Sequence, residues 1–127
     1  MTLLIHGFVI NNILVDTEAS VCVAPINTLH RCGIKEAELL QSTISISAFD
    51  NTRRPSLGAI TLTVEIGPLS MPIEFHVVNV ESLFNAILGR LWITALNAVP
   101  SVVHQCLKFF YEGKVVKLHN VNLPKPD

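Results

Sequence analysis

Short blocks of branched apolar residues, broken by small polar groups, run along most of the chain. Leu3-Leu4-Ile5 and Phe8-Val9-Ile10 flank His6-Gly7 and predict an apolar hairpin turning at Gly7. Beyond Asn11-Asn12, Ile13-Leu14-Val15 reads as a short buried strand ending at Asp16. Val21-Cys22-Val23 is the next apolar run. Pro25 then suits the first turn of a short helix through Leu29, closed by Gly33. Residues 34–41 fit either a loop or a helical turn through Glu36-Ala37-Glu38-Leu39.

Two later stretches, Thr43 to Phe49 and Ile60 to Ile66, alternate polar with apolar residues, the period of a half-buried strand. Asp50 to Pro55 lies between them as an exposed turn, which predicts a long hairpin with its tip in solvent. Gly67-Pro68 ends the second arm. Ile73 to Val78 and Asn85 to Gly89 read as further strands, and Leu91 to Leu96 as a helix begun after Arg90. Lys108 to Tyr111 and Lys114 to Leu118 predict a last hairpin around Gly113. The pattern gives a mostly β chain with one or two short helices. It forms one domain over residues 1–119, followed by a proline-containing tail or linker over 120–127.

Composition sharpens this picture. Of the 127 residues, 50% are hydrophobic and only 15% charged, an apolar balance that fits burial of some surface against a partner. A net charge of -1 without any run of Lys or Arg argues against nucleic acid and anionic membrane as partners. No apolar run reaches membrane-spanning length, and the N-terminus has no basic region leading into an apolar block. A cytoplasmic protein is expected. Three unpaired cysteines and five scattered histidines predict neither a disulfide framework nor a metal site, and no cofactor is implied.

Candidate chemistry concentrates at Asp16. It is one of three aspartates, with Asp50 and Asp127, and the only one delivered by an apolar strand. A carboxylate in that setting is costly unless it is hydrogen-bonded or functional. The plainer reading is an aspartate that caps its own turn. Ser20 lacks the G-x-S-x-G setting of a hydrolase nucleophile, and Cys22 lies in an apolar run where thiols are inert. Arg53 and Arg54 read as solvated charges that could also steer a peptide, and Trp92 reads as core.

Asp16-Thr17 after an apolar strand, the central hairpin, and Ala86-Ile87-Leu88-Gly89-Arg90 before a helix occur in an order that resembles the retropepsins. These are the aspartic proteases of retroviruses and long-terminal-repeat retrotransposons. The likeness spans nearly the whole chain. It is nearest to the protease segment of plant gypsy-type polyproteins, on the stretches Ala48 to Asn51, Ile87 to Trp92, Val99 to Ser101 and His104 to Phe109.

The resemblance implies a retropepsin-like closed β-barrel with a flap hairpin. Asp16 would be the catalytic carboxylate, contributed once by each chain of a homodimer. Thr17 would brace the paired loops, and Ala19 and Ser20 would complete the loop beside an extended polypeptide substrate. The flap would carry Phe49, Asp50, Asn51 and Thr52. Ile87, Leu88 and Gly89 would support the site from beneath, with Arg90 in a structural ion pair.

The chain departs from the family at Glu18, where members carry Gly and the motif becomes Asp-Thr-Glu. Gly suits a backbone that closely approaches a partner loop and a substrate. Glu18 adds bulk and negative charge, twice over in a dimer, beside carboxylates that must share a proton. Two functions therefore stand side by side. One is an endopeptidase processing a retrotransposon polyprotein, with activity impaired by Glu18. The other is an inactive remnant serving as a dimerisation or peptide-binding module.

Overall fold

The computed structural model describes residues 1–47, 52–119 and 121–124. Strands β1 (Leu3–Ile5) and β2 (Phe8–Ile10) form the first hairpin, with Leu3 opposite Ile10. His6 and Gly7 both have positive φ, 51° and 79°, as a two-residue loop matched to strand twist requires. Strand β3 (Ile13–Val15) follows, then β4 (Cys22–Pro25). Pro25 closes that strand with φ -66° and serves as N-cap, so helix α1 begins at Ile26 and runs to Arg31. Gly33, at φ 77°, turns the chain away from it. Glu36–Glu38 makes a single 3-10 turn, which decides the ambiguous segment in favour of a short helical turn.

The central hairpin differs from the sequence expectation. Residues 43–49 were expected to pair with 60–66, yet the described strand there is only β5 (Ser45–Ile46), and its partner is β6 (Arg54–Pro55). The second alternating stretch instead becomes β7 (Gly58–Ile66), which pairs along its whole length with β8 (Leu69–Val78). Gly67-Pro68 is the tight turn between them, with Ile66 opposite Leu69, rather than a simple stop. Gly at the first loop position, with φ 54°, makes that turn cheap. A local hairpin with a favourable loop thus wins over pairing across a longer connection.

Strand β9 (Ala86–Leu88) leads into helix α2 (Arg90–Ala95), close to expectation. Strand β10 (Val99–Ser101) was not anticipated; it is three residues long and contains Pro100. It pairs with β11 (Cys106–Tyr111), which forms the expected last hairpin with β12 (Lys114–Leu118).

Seven strands form one sheet in the order β2-β1-β7-β8-β4-β9-β3, curled into a nearly closed barrel. Its alternation is clean: Leu62, Val64 and Ile66 of β7 are buried, while Thr61, Thr63 and Glu65 face solvent. The core fills with Leu3, Ile5, Val64, Phe75, Val77, Leu88 and Trp92, and Leu107 and Phe109 of the second sheet join it. Each such side chain contributes about 1.5–3 kcal/mol by leaving water. In the sheet, β9 sits between β3 and β4, although β3 and β4 are consecutive in the chain. The loop between those two strands must therefore pass over the end of β9. That crossing makes the site.

Candidate active site

Strand β3 runs parallel to β9, with Leu14 opposite Ile87 and Val15 opposite Leu88. The ladder continues one step further: the Asp16 N–H donates to the Leu88 carbonyl at 3.0 Å. Asp16 is thus delivered partly buried to the barrel end. Its Oδ1 accepts the Glu18 N–H at 2.9 Å, and its carbonyl accepts the Ala19 N–H at 3.2 Å. This is a side-chain-closed turn, as the plainer reading of Asp16 expects. It leaves Oδ2 without a hydrogen bond among the described residues.

The far end of the loop is tied to the other side of the β9–α2 junction. The Arg90 N–H donates to the Ala19 carbonyl at 2.7 Å, and the Leu91 N–H to the Ser20 carbonyl at 3.4 Å. Gly89 lies where those ties converge. A Cβ there would run into the Val21 carbonyl oxygen and stand 2.6 Å from the Ala19 oxygen. Both contacts are backbone, so no rotamer change can relieve them. The residue must be glycine for the loop to sit this close.

Ile87, Leu88 and Gly89 are buried directly beneath the loop. Arg90 joins through its backbone, and its side chain is exposed and meets no carboxylate among the described residues. Thr17, Glu18 and Ser20 are exposed, and Ala19 is half-buried. Glu18 does not have the positive φ that would call for glycine. Within a single chain it therefore causes neither backbone strain nor charge burial.

Asp16, Glu18, Ala19 and Ser20 form one side of a cleft of about 640 Å³. Ile44 to Ser47 and Arg53, from the β5–β6 hairpin, also line it. Leu14, Val23 and Ile87 contribute apolar surface, with Phe84 beside them. Val23, Ile46, Val78 and Ile87 pack together as a small buried cluster separate from the main core. Of the residues expected in the flap, Phe49, Asp50 and Asn51 lie outside the described residues, and Thr52 is exposed next to Arg53.

The sequence did not point to Leu14, Val23, Ile46 or Phe84 as cleft residues, because apolar side chains carry no mark of which cavity they face. It also missed a polar cluster behind the site. Thr28, 1% exposed, donates through Oγ1 to the Asn85 carbonyl at 2.7 Å. The Arg31 Nη2 donates to Asn85 Oδ1 at 2.6 Å and to Thr28 Oγ1 at 3.2 Å. The Asn85 amide side chain donates to the Asn11 carbonyl at 2.7 Å, and its N–H to the Asn12 carbonyl at 2.9 Å. These bonds tie the start of β9 to the entry of β3 and to α1. They fix the register that delivers Asp16.

Cys22 is buried, and burial pushes its thiol above the usual range more than its hydrogen bonds to the Gly89 and Trp92 backbone pull it down. It matches the inert core thiol expected from its apolar run. Trp92, 3% exposed, is core as expected. Among the described residues no group of His, Cys, Asp and Glu side chains gathers as metal ligands, and no helix is long and apolar enough to cross a membrane.

No family model and no curated protein matches this chain. Solved structures do. The retroviral protease-like domain of Ddi1 from Leishmania major is similar at 19% identity and a TM-score of 0.65, over 97% of this chain and 92% of that one. A retropepsin-like aspartic protease from Rickettsia conorii is similar at 22% identity and a TM-score of 0.54, over 76% of this chain and 68% of that one. The likeness covers the barrel that carries Asp16 as well as the sheet that follows it. This chain therefore has the retropepsin-like fold found in aspartic protease domains.

Proposed function

We propose that the chain is an aspartic endopeptidase domain that processes a retrotransposon polyprotein, of the plant gypsy type, in the cytoplasm. The observation that carries this reading is Asp16 at the edge of a cleft of about 640 Å³, its backbone N–H donating to the Leu88 carbonyl and its carboxylate accepting the Glu18 N–H. One chain supplies one such carboxylate. Two chains, pairing through their Asp16 loops, supply two.

Carboxylates brought that close cannot both ionise cheaply, so the pair holds one proton between them. The ionised member takes a proton from water as the water oxygen adds to the peptide carbonyl carbon. The protonated member gives its proton to the carbonyl oxygen. Collapse of that adduct returns a proton to the departing amine and breaks the C–N bond. Thr17, exposed in the single chain, would find its hydroxyl partner across the pair. The β5–β6 hairpin would close over the substrate.

Glu18 supports a second reading, a folded but inactive peptide-binding or dimerisation module. Its side chain lines the cleft beside Asp16, and pairing brings it against its own copy. Two added carboxylates near a proton-sharing pair raise the cost of ionising it, and burying them unpaired costs several kcal/mol. Cleavage of unfolded polypeptide by the native chain, Asp16→Asn and Glu18→Gly separates the readings. Asp16→Asn abolishes any cleavage and Glu18→Gly raises it if the domain is a protease held back at one position. A folded, dimeric Glu18→Gly protein inert on a range of unfolded substrates would leave the binding module as the function.

A further inference from the structure

We propose that Glu18 and Arg53 are the specificity determinants of the cleft, which takes an extended peptide whose aliphatic residue is flanked by a basic side chain on one side and an acidic one on the other. This rests on the cleft being a peptide site, as argued above, and adds the charge pattern of the ligand.

Among the described residues, the charged side chains that line the cleft are Asp16, Glu18 and Arg53. Asp16 has one oxygen committed to its own turn. The Glu18 carboxylate and the Arg53 guanidinium are exposed, and neither makes a hydrogen bond or ion pair among the described residues. They belong to different elements. Glu18 stands on the loop after β3, and Arg53 stands just before β6 on the hairpin. The apolar patch of Leu14, Val23, Ile46 and Ile87 is part of the same cleft and takes the aliphatic group.

A neutral peptide would leave both charges facing an apolar occupant and would displace water from them without replacement, which is unfavourable. A peptide carrying a cation for Glu18 and an anion for Arg53 replaces that water on both walls. Complementary charges of this kind select partners more than they add raw affinity. Each is partly solvated, so each contact is worth a factor of about two to five and weakens as salt rises.

The test is fluorescence anisotropy with labelled ten-residue peptides that share a central Leu and differ in their flanks: mixed charge, neutral, all-basic and all-acidic. The protein carries Asp16→Asn to prevent cleavage; the Asn Oδ1 still accepts the Glu18 N–H. The mixed-charge peptide should bind about three- to ten-fold more tightly than the neutral one at low salt, and the gap should shrink at high salt. With Glu18→Lys the chain should come to prefer the all-acidic peptide, and with Arg53→Glu the all-basic one. Peptides that bind with the same order of preference in the native, Glu18→Lys and Arg53→Glu backgrounds overturn the assignment. In the double reversal, Glu18→Lys with Arg53→Glu, the preference should pass to a mixed-charge peptide with its two flanks exchanged, and retention of the original order overturns the assignment as well. Absence of binding by any peptide to a folded chain fails differently, because it removes the peptide site itself.

Discussion

At the scale of single residues, Gly89 carries more of the site's geometry than any charged group. The oxygens of Ala19 and Val21 stand where a Cβ would lie. Gly89→Ala is therefore expected to destabilise the fold by about 1–3 kcal/mol, read from the midpoint of denaturant unfolding. Thr28 is a second such position. Thr28→Val keeps the shape but removes the donor to the Asn85 carbonyl and the acceptor for Arg31, at an expected cost of about 1–3 kcal/mol. Unchanged unfolding midpoints in either variant would contradict these assignments. Asp16 was legible in the sequence because an apolar strand ending in a lone carboxylate is unusual. Thr28 was not, since its partner lies 57 residues away and an isolated threonine in a short helix looks ordinary.

The elements divide by how local their pairing is. The first and last hairpins, β1–β2 and β11–β12, were readable because each turn carries its own glycine, Gly7 or Gly113, at positive φ. The central region was half readable. Alternation identified both 43–49 and 60–66 as strand-like, but period alone does not name a strand's partner. Gly67-Pro68 decided it, by allowing β7 to fold straight back along β8. Strand β10 escaped notice because three residues around a proline give no period. The outcome has a dynamic consequence: the β5–β6 ladder of Ser45–Ile46 with Arg54–Pro55 pairs over only two positions, while β7–β8 pairs over nine positions across the core. Native-state hydrogen exchange should show Ile46 amide exchanging orders of magnitude faster than Val64 or Phe75. Equal protection would remove the hairpin as a candidate closing element.

For the whole molecule, the retropepsin-like barrel was legible from the order of the motifs, and the arrangement of β9 between β3 and β4 explains why that order matters. The Asp16 loop can reach the Gly89–Arg90 junction only in this topology. Among the described residues Asp16 is the single aspartate of the cleft, so the proposed chemistry would be a property of a pair. Exposed apolar side chains such as Leu91, Val99, Phe110 and Val115 agree with the apolar composition of the chain. Glu18, exposed and unstrained within one chain, would meet its own copy where two such loops pair.

The most direct measurement is the cleavage rate per chain against chain concentration in the Glu18→Gly background, with and without added Asp16→Asn,Glu18→Gly chains. If two Asp16 side chains form the site, the rate per chain rises with concentration and then levels. The added inactive chains lower it by forming mixed dimers. A rate per chain that is independent of concentration and unaffected by the inactive chains would contradict the account.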